Sequence, residues 1–417
     1  MFKTKLVLSA LILFLFGCHN PNVAPKLALV TPKSIVNIGI EEVAQYDLVM
    51  GVVRPERAEE IRELNPDIIL LHQTDPFECW PITNWQSWMA ADTTWSIDRL
   101  VQYYVIKNKE LNSEWLLKTT TGNYISRYNK MELNFSDFCP KGAYGTSKGL
   151  IFRDWLAKVA YPQIISNELW QKYYDGFHFD VFESCSTWDI TFKNVDLNLD
   201  GINDSSGYIS PCYNIRGDSN LFRTQQHNAV ELFTNNLFNS ISPLVIVTVG
   251  QDRIDSNCRS KFNGWKLERW MRQSGASKQW IDWWKGTNNT TGYKEAEEVL
   301  FRYGEDDRYD EFQGWDYSVL DVKTPVNITY DEVRQFARFA LGTSLLGDGY
   351  FALQCENYNY ITIPEMFNWK FKLPAKTEAY VKNNLYCRQY ERLNDGKLVT
   401  VIVDLDNKNS YIYEGAY

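Results

Sequence analysis

Beyond residue 45 the chain alternates short apolar runs with stretches whose apolar positions recur every three or four residues. The runs Asp47–Val53, Asp67–Gln73, Trp115–Thr120, Gly176–Phe182, Leu244–Val249, Gly264–Glu268, Tyr317–Val322 and Gly349–Gln354 predict eight strands. Helices are predicted between several of them. Glu56–Leu64 carries Ala58, Ile61 and Leu64 on one face and stops at Asn65-Pro66. Arg223–Ile241 aligns Val230, Phe233, Leu237 and Ile241 in a stripe, and Thr329–Leu346 opens with the capping-box spacing of Thr329 and Glu332. Strand–helix alternation implies a parallel sheet covered by helices, and eight strands point to an α/β fold of the closed (β/α)8 TIM barrel kind, over residues 41–380. Leu385–Leu393 and Leu398–Leu405 flank Asn394-Asp395-Gly396-Lys397, a hairpin signal that makes 381–417 a small C-terminal β-hairpin element.

The first forty residues follow another pattern. A basic start at Lys3 and Lys5 precedes an apolar run from Leu6 to Phe16, which ends at Gly17-Cys18. That layout is a secretory signal, too short to span a bilayer stably, with a lipobox-like end that predicts lipid attachment at Cys18. Residues 1–18 are thus a lipoprotein signal peptide. Residues 19–40, with Pro21, Pro25 and Pro32, read as a tether. The expected location is the bacterial cell envelope, outside the cytoplasm, with membrane contact through the anchor. Seven other cysteines permit disulfides there but show no CxxC pair, and Cys185–Cys212 is the expected pair.

A net charge of −9 argues against nucleic acid as a partner, and no Gly-rich phosphate loop follows the first strand, which argues against nucleotides. The chain holds 15 Trp and 25 Tyr, more than a core needs, and exposed aromatic faces suit the apolar C–H faces of sugar rings. Trp80, Trp85, Trp88 and Trp95 crowd one loop after the second strand.

In a parallel barrel, active residues project from the C-terminal ends of strands. Alternation along Gly176–Glu183 puts His178 and Asp180 on the inner face, with Phe177, Phe179 and Val181 against helices. Along Gly264–Trp270 it puts Lys266 and Glu268 inward. Two inward carboxylates on separate strands fit glycoside hydrolysis, with Asp180 as nucleophile or base and Glu268 as acid. Lys266 would keep one of the two ionised. His72, Gln73, Trp80, Trp85, His178, Glu183, Lys266, Asp321 and Asp348 are candidate substrate contacts, Glu183 being the main rival for a catalytic role.

After the fourth strand, Asp196, Asn198, Asp200, Ile202 and Asp204, with Gly201 at the sixth position, match the start of an EF-hand loop. Position twelve is Gly207, so the bidentate Glu is missing and a simpler structural Ca2+ loop is expected.

Taken in order, Tyr46–Val49, Leu64–Ile68, Asp175–Asp180, Asp196–Asp204 and Leu345–Phe351 resemble hypothetical glycosyl hydrolase family fifteen, a group related to α-galactosidase-type barrels. The resemblance covers most of residues 45–405 and implies a catalytic Asp on the fourth strand, which falls on Asp180. It implies a reaction class, hydrolysis of a glycosidic bond in a polysaccharide or glycan, and no particular sugar. The competing expectation is a glycan-binding lipoprotein on a degenerate barrel without catalysis. A metal-dependent esterase would need clustered histidines, and the sequence has no HxH or HxxxH pair.

Overall fold

The computed structural model describes residues 23–31, 38–51, 53, 55–79, 113–127, 130–143, 145–180, 182, 194–205, 221–250, 258, 261–268, 319–324, 330–347, 349–355, 363–404, 407 and 409–417. In chain order its first elements are β1 (Val23–Ala24), β2 (Lys26–Thr31), α1 (Ile40–Val43), β3 (Leu48–Gly51), α2 (Pro55–Leu64) and β4 (Ile69–Thr74). There follow β5 (Glu78–Cys79), β6 (Ser126–Arg127), β7 (Lys130–Glu132), α3 (Phe152–Trp155), α4 (Tyr161–Ile165), α5 (Glu168–Tyr173) and β8 (Gly176–Phe179). Next come α6 (Leu221–Ser240), β9 (Ile246–Gly250), β10 (Gly264–Glu268), β11 (Val319–Thr324), α7 (Tyr330–Ser344) and β12 (Tyr350–Cys355). The chain closes with α8 (Pro364–Asn368), β13 (Phe371–Lys372), β14 (Tyr380–Lys382), β15 (Leu385–Arg392), β16 (Leu398–Asp404) and β17 (Asn409–Glu414).

The described residues fall into two compact units. One comprises those of Met1–Gly51, Glu56–Leu70 and Gly264–Tyr417; the other comprises those of Val52–Pro55 and Leu71–Asn263.

In the first unit β10, β11, β12, β2 and β3 pair side by side, all parallel. Leu27 to Val30 and Leu48 to Met50 are buried at every position, not at alternate ones, as expected of strands covered on both faces. Ala58 and Ile61 give α2 its buried stripe. Asn65, just past α2, donates from Nδ2 to the carbonyls of Ala44 and Tyr46 at 3.0 Å each, fixing the segment that leads into β3. An antiparallel sheet of six strands forms the rest of this unit, in the order β1-β13-β15-β16-β17 with β14 on β15. It docks on α7. Arg388 donates to the Leu346 carbonyl at 3.1 Å and the Tyr390 hydroxyl donates to that of Leu345, satisfying carbonyls that the end of a helix leaves open.

In the second unit β8 lies between β4 and β9, again parallel. Helical residues run on from α3 through a π-turn at Leu156–Ala160 into α4. Phe177 and Phe179 of β8 meet this layer: Tyr161 lies 5.1 and 5.2 Å from their ring centres, and Trp170 stacks on Phe177 at 4.8 Å. Phe233 of α6 closes on Phe179 at 6.0 Å. Gly176 starts β8 because nothing larger fits: a Cβ there would stand 1.8 Å from the Ile246 carbonyl oxygen. A small antiparallel sheet, β5-β7-β6, is inserted after β4.

Four expectations are corrected. A complete (β/α)8 barrel is not shown: among the described residues helices accompany only some of the parallel strands, and a six-stranded antiparallel sheet makes up much of one unit. Alternation specifies that neighbours pair in parallel, but not that one helix follows each strand or that a further sheet joins them. The C-terminal element is a six-stranded sheet rather than a small hairpin, and it recruits Val23–Ala24 from the other end of the sequence. Within the supposed tether, Lys26–Thr31 is a strand paired with both β12 and β3; its flanking prolines, read as linker signals, stand at its ends. Trp115–Thr120 forms no strand of the parallel sheets and makes only isolated bridges, Leu116 with Leu133 and Lys118 with Tyr124 and Asp196. Its apolar pattern serves local packing: Trp115 is fully buried, and its indole donates to the Pro140 carbonyl at 2.7 Å.

Candidate functional site

The register of the second unit's sheet sets Gln73 of β4, His178 of β8 and Thr248 of β9 side by side. All three are buried. β8 and β9 have no other polar side chain, so a polar row crosses the sheet at this level. His178 Nδ1 and Thr248 Oγ1 are 2.8 Å apart. Asp180 follows β8 directly, its backbone N–H donating to the Thr74 carbonyl at 2.9 Å, so that it extends the pairing one step beyond the last strand residue. Its Oδ2 accepts a hydrogen bond of 2.7 Å from Gln73 Nε2. Asp180 is partly exposed while Gln73 beneath it is 8% exposed. The site is thus a solvent-reaching carboxylate at the C-terminal end of a parallel strand, held from below by a buried amide. A carboxylate so placed can accept a proton or attack an electrophilic carbon.

His72, expected among the substrate contacts, is not part of that row. Strand alternation turns it from Gln73 to the opposite face, where it packs on the Tyr174 ring at 4.7 Å. Burial lowers its pKa to about 3, so it is a neutral core imidazole. Thr248 was missed by the sequence reading; a polar residue in the middle of an apolar run, level with His178, was the available signal.

Of the other expected contacts, Lys266, Glu268 and Asp321 have described backbones in β10 and β11, where Glu268 is in register with Asp321 and Lys266 with Val319. Their side chains lie outside the described residues, as do Cys18, Trp80, Trp85, Glu183, Asp348 and the pair Cys185–Cys212. Cys139 and Cys387 are buried free thiols, and burial pushes the Cys139 thiol up to about 12.

The acidic loop is anchored by Val195 and Leu197, which join Leu117, Ile125 and Phe222 in a small core. Asp196 accepts from the N–H groups of Asp200 (3.1 Å) and Gly201 (2.9 Å), and Asp200 from that of Ile202 (2.8 Å). Asn198 Oδ1 also accepts from the Asp200 N–H at 3.2 Å, and Asp204 accepts from the Leu197 N–H at 2.7 Å. The donor set is all oxygen, which suits a hard cation. Asp196, Asp200 and Asp204 are not drawn together as a metal-holding group, however, and among the described residues no three His, Cys, Asp or Glu side chains are.

No family model and no curated protein matches this chain.

Proposed function

We propose that this protein is a glycoside hydrolase in which Asp180 is the nucleophile or general base. The observation that carries the reading is Asp180 itself, at the end of β8 and hydrogen-bonded to Gln73 at 2.7 Å. Glycosidic bond cleavage needs one carboxylate to attack the anomeric carbon or activate water, and a second acid to protonate the departing oxygen. Glu268, which ends β10, is the proposed acid. The substrate is proposed to be a polysaccharide or glycan, in keeping with the aromatic-rich composition. Testing it requires wild type, Asp180→Asn and Glu268→Gln on a panel of soluble polysaccharides, with released sugars measured by mass spectrometry. Sugar release by wild type and its loss in Asp180→Asn supports the reading; equal release by wild type and Asp180→Asn defeats it.

Two further assignments belong to the same proposal. The chain is a cell-envelope lipoprotein acylated at Cys18, which metabolic labelling with an alkynyl fatty acid tests: label lost in Cys18→Ala supports it, and label retained there opposes it. The acidic loop takes a structural Ca2+ through Asp196, Asn198, Asp200, Asp204 and the Ile202 carbonyl. The ion would have to gather carboxylates that the loop's own amides now hold apart. Raising Ca2+ to a hundred times its dissociation constant would then stabilise the fold by about 2.7 kcal/mol. A melting temperature indifferent to Ca2+ and to chelator, in wild type as in Asp200→Asn, contradicts the assignment.

A further inference from the structure

Gln73 has two polar ends, and the structure uses one of them. Nε2 donates to Asp180 Oδ2 at 2.7 Å, which fixes which way round the amide lies. Its Oε1 is buried and, among the described residues, accepts no hydrogen bond. Leaving a buried acceptor unsatisfied costs about 1–3 kcal/mol. Such a cost is tolerated where a ligand supplies the missing donor. A leucine would fill much the same space, level with His178, without that penalty, so the position calls for an amide.

We propose that Gln73 is a positioning residue with two linked tasks: its amide nitrogen orients the Asp180 carboxylate, and its amide oxygen accepts a hydrogen bond from a hydroxyl of the ligand bound at Asp180. This rests on the reading of Asp180 as the reacting carboxylate and adds the recognition that goes with it. A carbonyl acceptor next to a carboxylate selects a ligand rich in hydroxyl donors. It rejects an otherwise equal ligand in which that hydroxyl is methylated or removed, because the buried oxygen then stays unpaired. The geometry also couples the two tasks. A hydroxyl donating to Oε1 polarises the amide and strengthens the bond from Nε2 to Asp180, so ligand binding tightens the hold on the carboxylate.

The test has one arm that needs no activity. In protein labelled with 15N in its glutamine side chains, the Gln73 signal is assigned by its disappearance in Gln73→Leu. The proton donated to Asp180 is expected downfield of ordinary glutamine amides, and Asp180→Asn moves it upfield. A Gln73 signal unchanged by Asp180→Asn overturns the positioning role, whatever the enzyme turns over. The second arm is kinetic, on whichever polysaccharide wild type degrades. Gln73→Leu is expected to lower kcat/KM by tenfold to a hundredfold and to move the acid limb of the pH–rate profile to higher pH, because the carboxylate loses a donor. Gln73→Glu keeps an acceptor but sets a like charge beside Asp180 and moves that limb further in the same direction. A purely structural Gln73 would reduce the melting temperature and leave the profile and kcat/KM of the folded fraction in place. An intact Gln73–Asp180 signal together with no sugar release would instead tell against hydrolysis while the positioning contact stands.

Discussion

His72 and Gln73 are neighbours in sequence with opposite fates, and the difference lies in the two-residue period of a strand. Gln73 meets Asp180; His72 meets Tyr174 in the helical layer. Burial holds the His72 imidazole neutral down to about pH 3, well below the usual histidine value. The sign of its effect on stability follows. Above the unfolded value near 6.5 both states are neutral and the group adds no pH dependence. As pH falls from there toward 3, only the unfolded chain takes the proton, and stability drops by up to about 1.4 kcal/mol per pH unit. Chemical denaturation at several pH values between 4 and 7 should therefore show a slope that His72→Phe flattens. An unchanged slope in the variant means the acid sensitivity arises elsewhere. Asp180 was legible at this scale because strand alternation and strand end coincide there. The partner of Asp180 was not, since a hydrogen bond between positions 73 and 180 depends on which strands become neighbours.

At the scale of elements, α7 and the C-terminal sheet meet so closely that side-chain volume alone decides the contact. A Cβ on Gly342 would stand 2.3 Å from Ser410 Cβ, and Ser410 Oγ also donates to the Arg338 carbonyl. Gly342→Ala gains helix propensity of up to about 1 kcal/mol but overpacks this seam by roughly 1–3 kcal/mol. The variant should melt lower than wild type, and Ser410→Gly in the same chain should recover most of the loss. If Gly342→Ala melts at or above wild type, the seam is looser than described. Helices α2 and α6 were legible from their apolar stripes, and α7 from the capping-box spacing that precedes it: Val230, Phe233 and Leu237 of α6 are fully buried, as the spacing requires. The hairpin was equally legible, with Gly396 in the left-handed conformation its turn demands. The four other strands of that sheet were not. Val23–Ala24 and Phe371–Lys372 are two residues long, too short for any period to register.

For the whole molecule, sequence pattern conveyed the class of structure and overreached on a regular eightfold strand–helix repeat. Parallel strands with helical connections are present in both units, yet the count of eight took in Trp115–Thr120 and left out Lys26–Thr31. Those two errors offset each other in number, so the count alone gave no warning. Function follows from the site and not from the architecture, because parallel α/β scaffolds carry many chemistries. The account therefore turns on Asp180, and the most direct measurement is sugar release from a polysaccharide panel by wild type and Asp180→Asn, prepared alike and matched for folding by circular dichroism. The prediction is release by wild type from at least one substrate and a fall of roughly 10²–10⁴-fold in the variant, the range expected when a positioned acid–base group is removed. Equal release by the two proteins, or retention of polysaccharide by wild type with no bond cleaved, would contradict it.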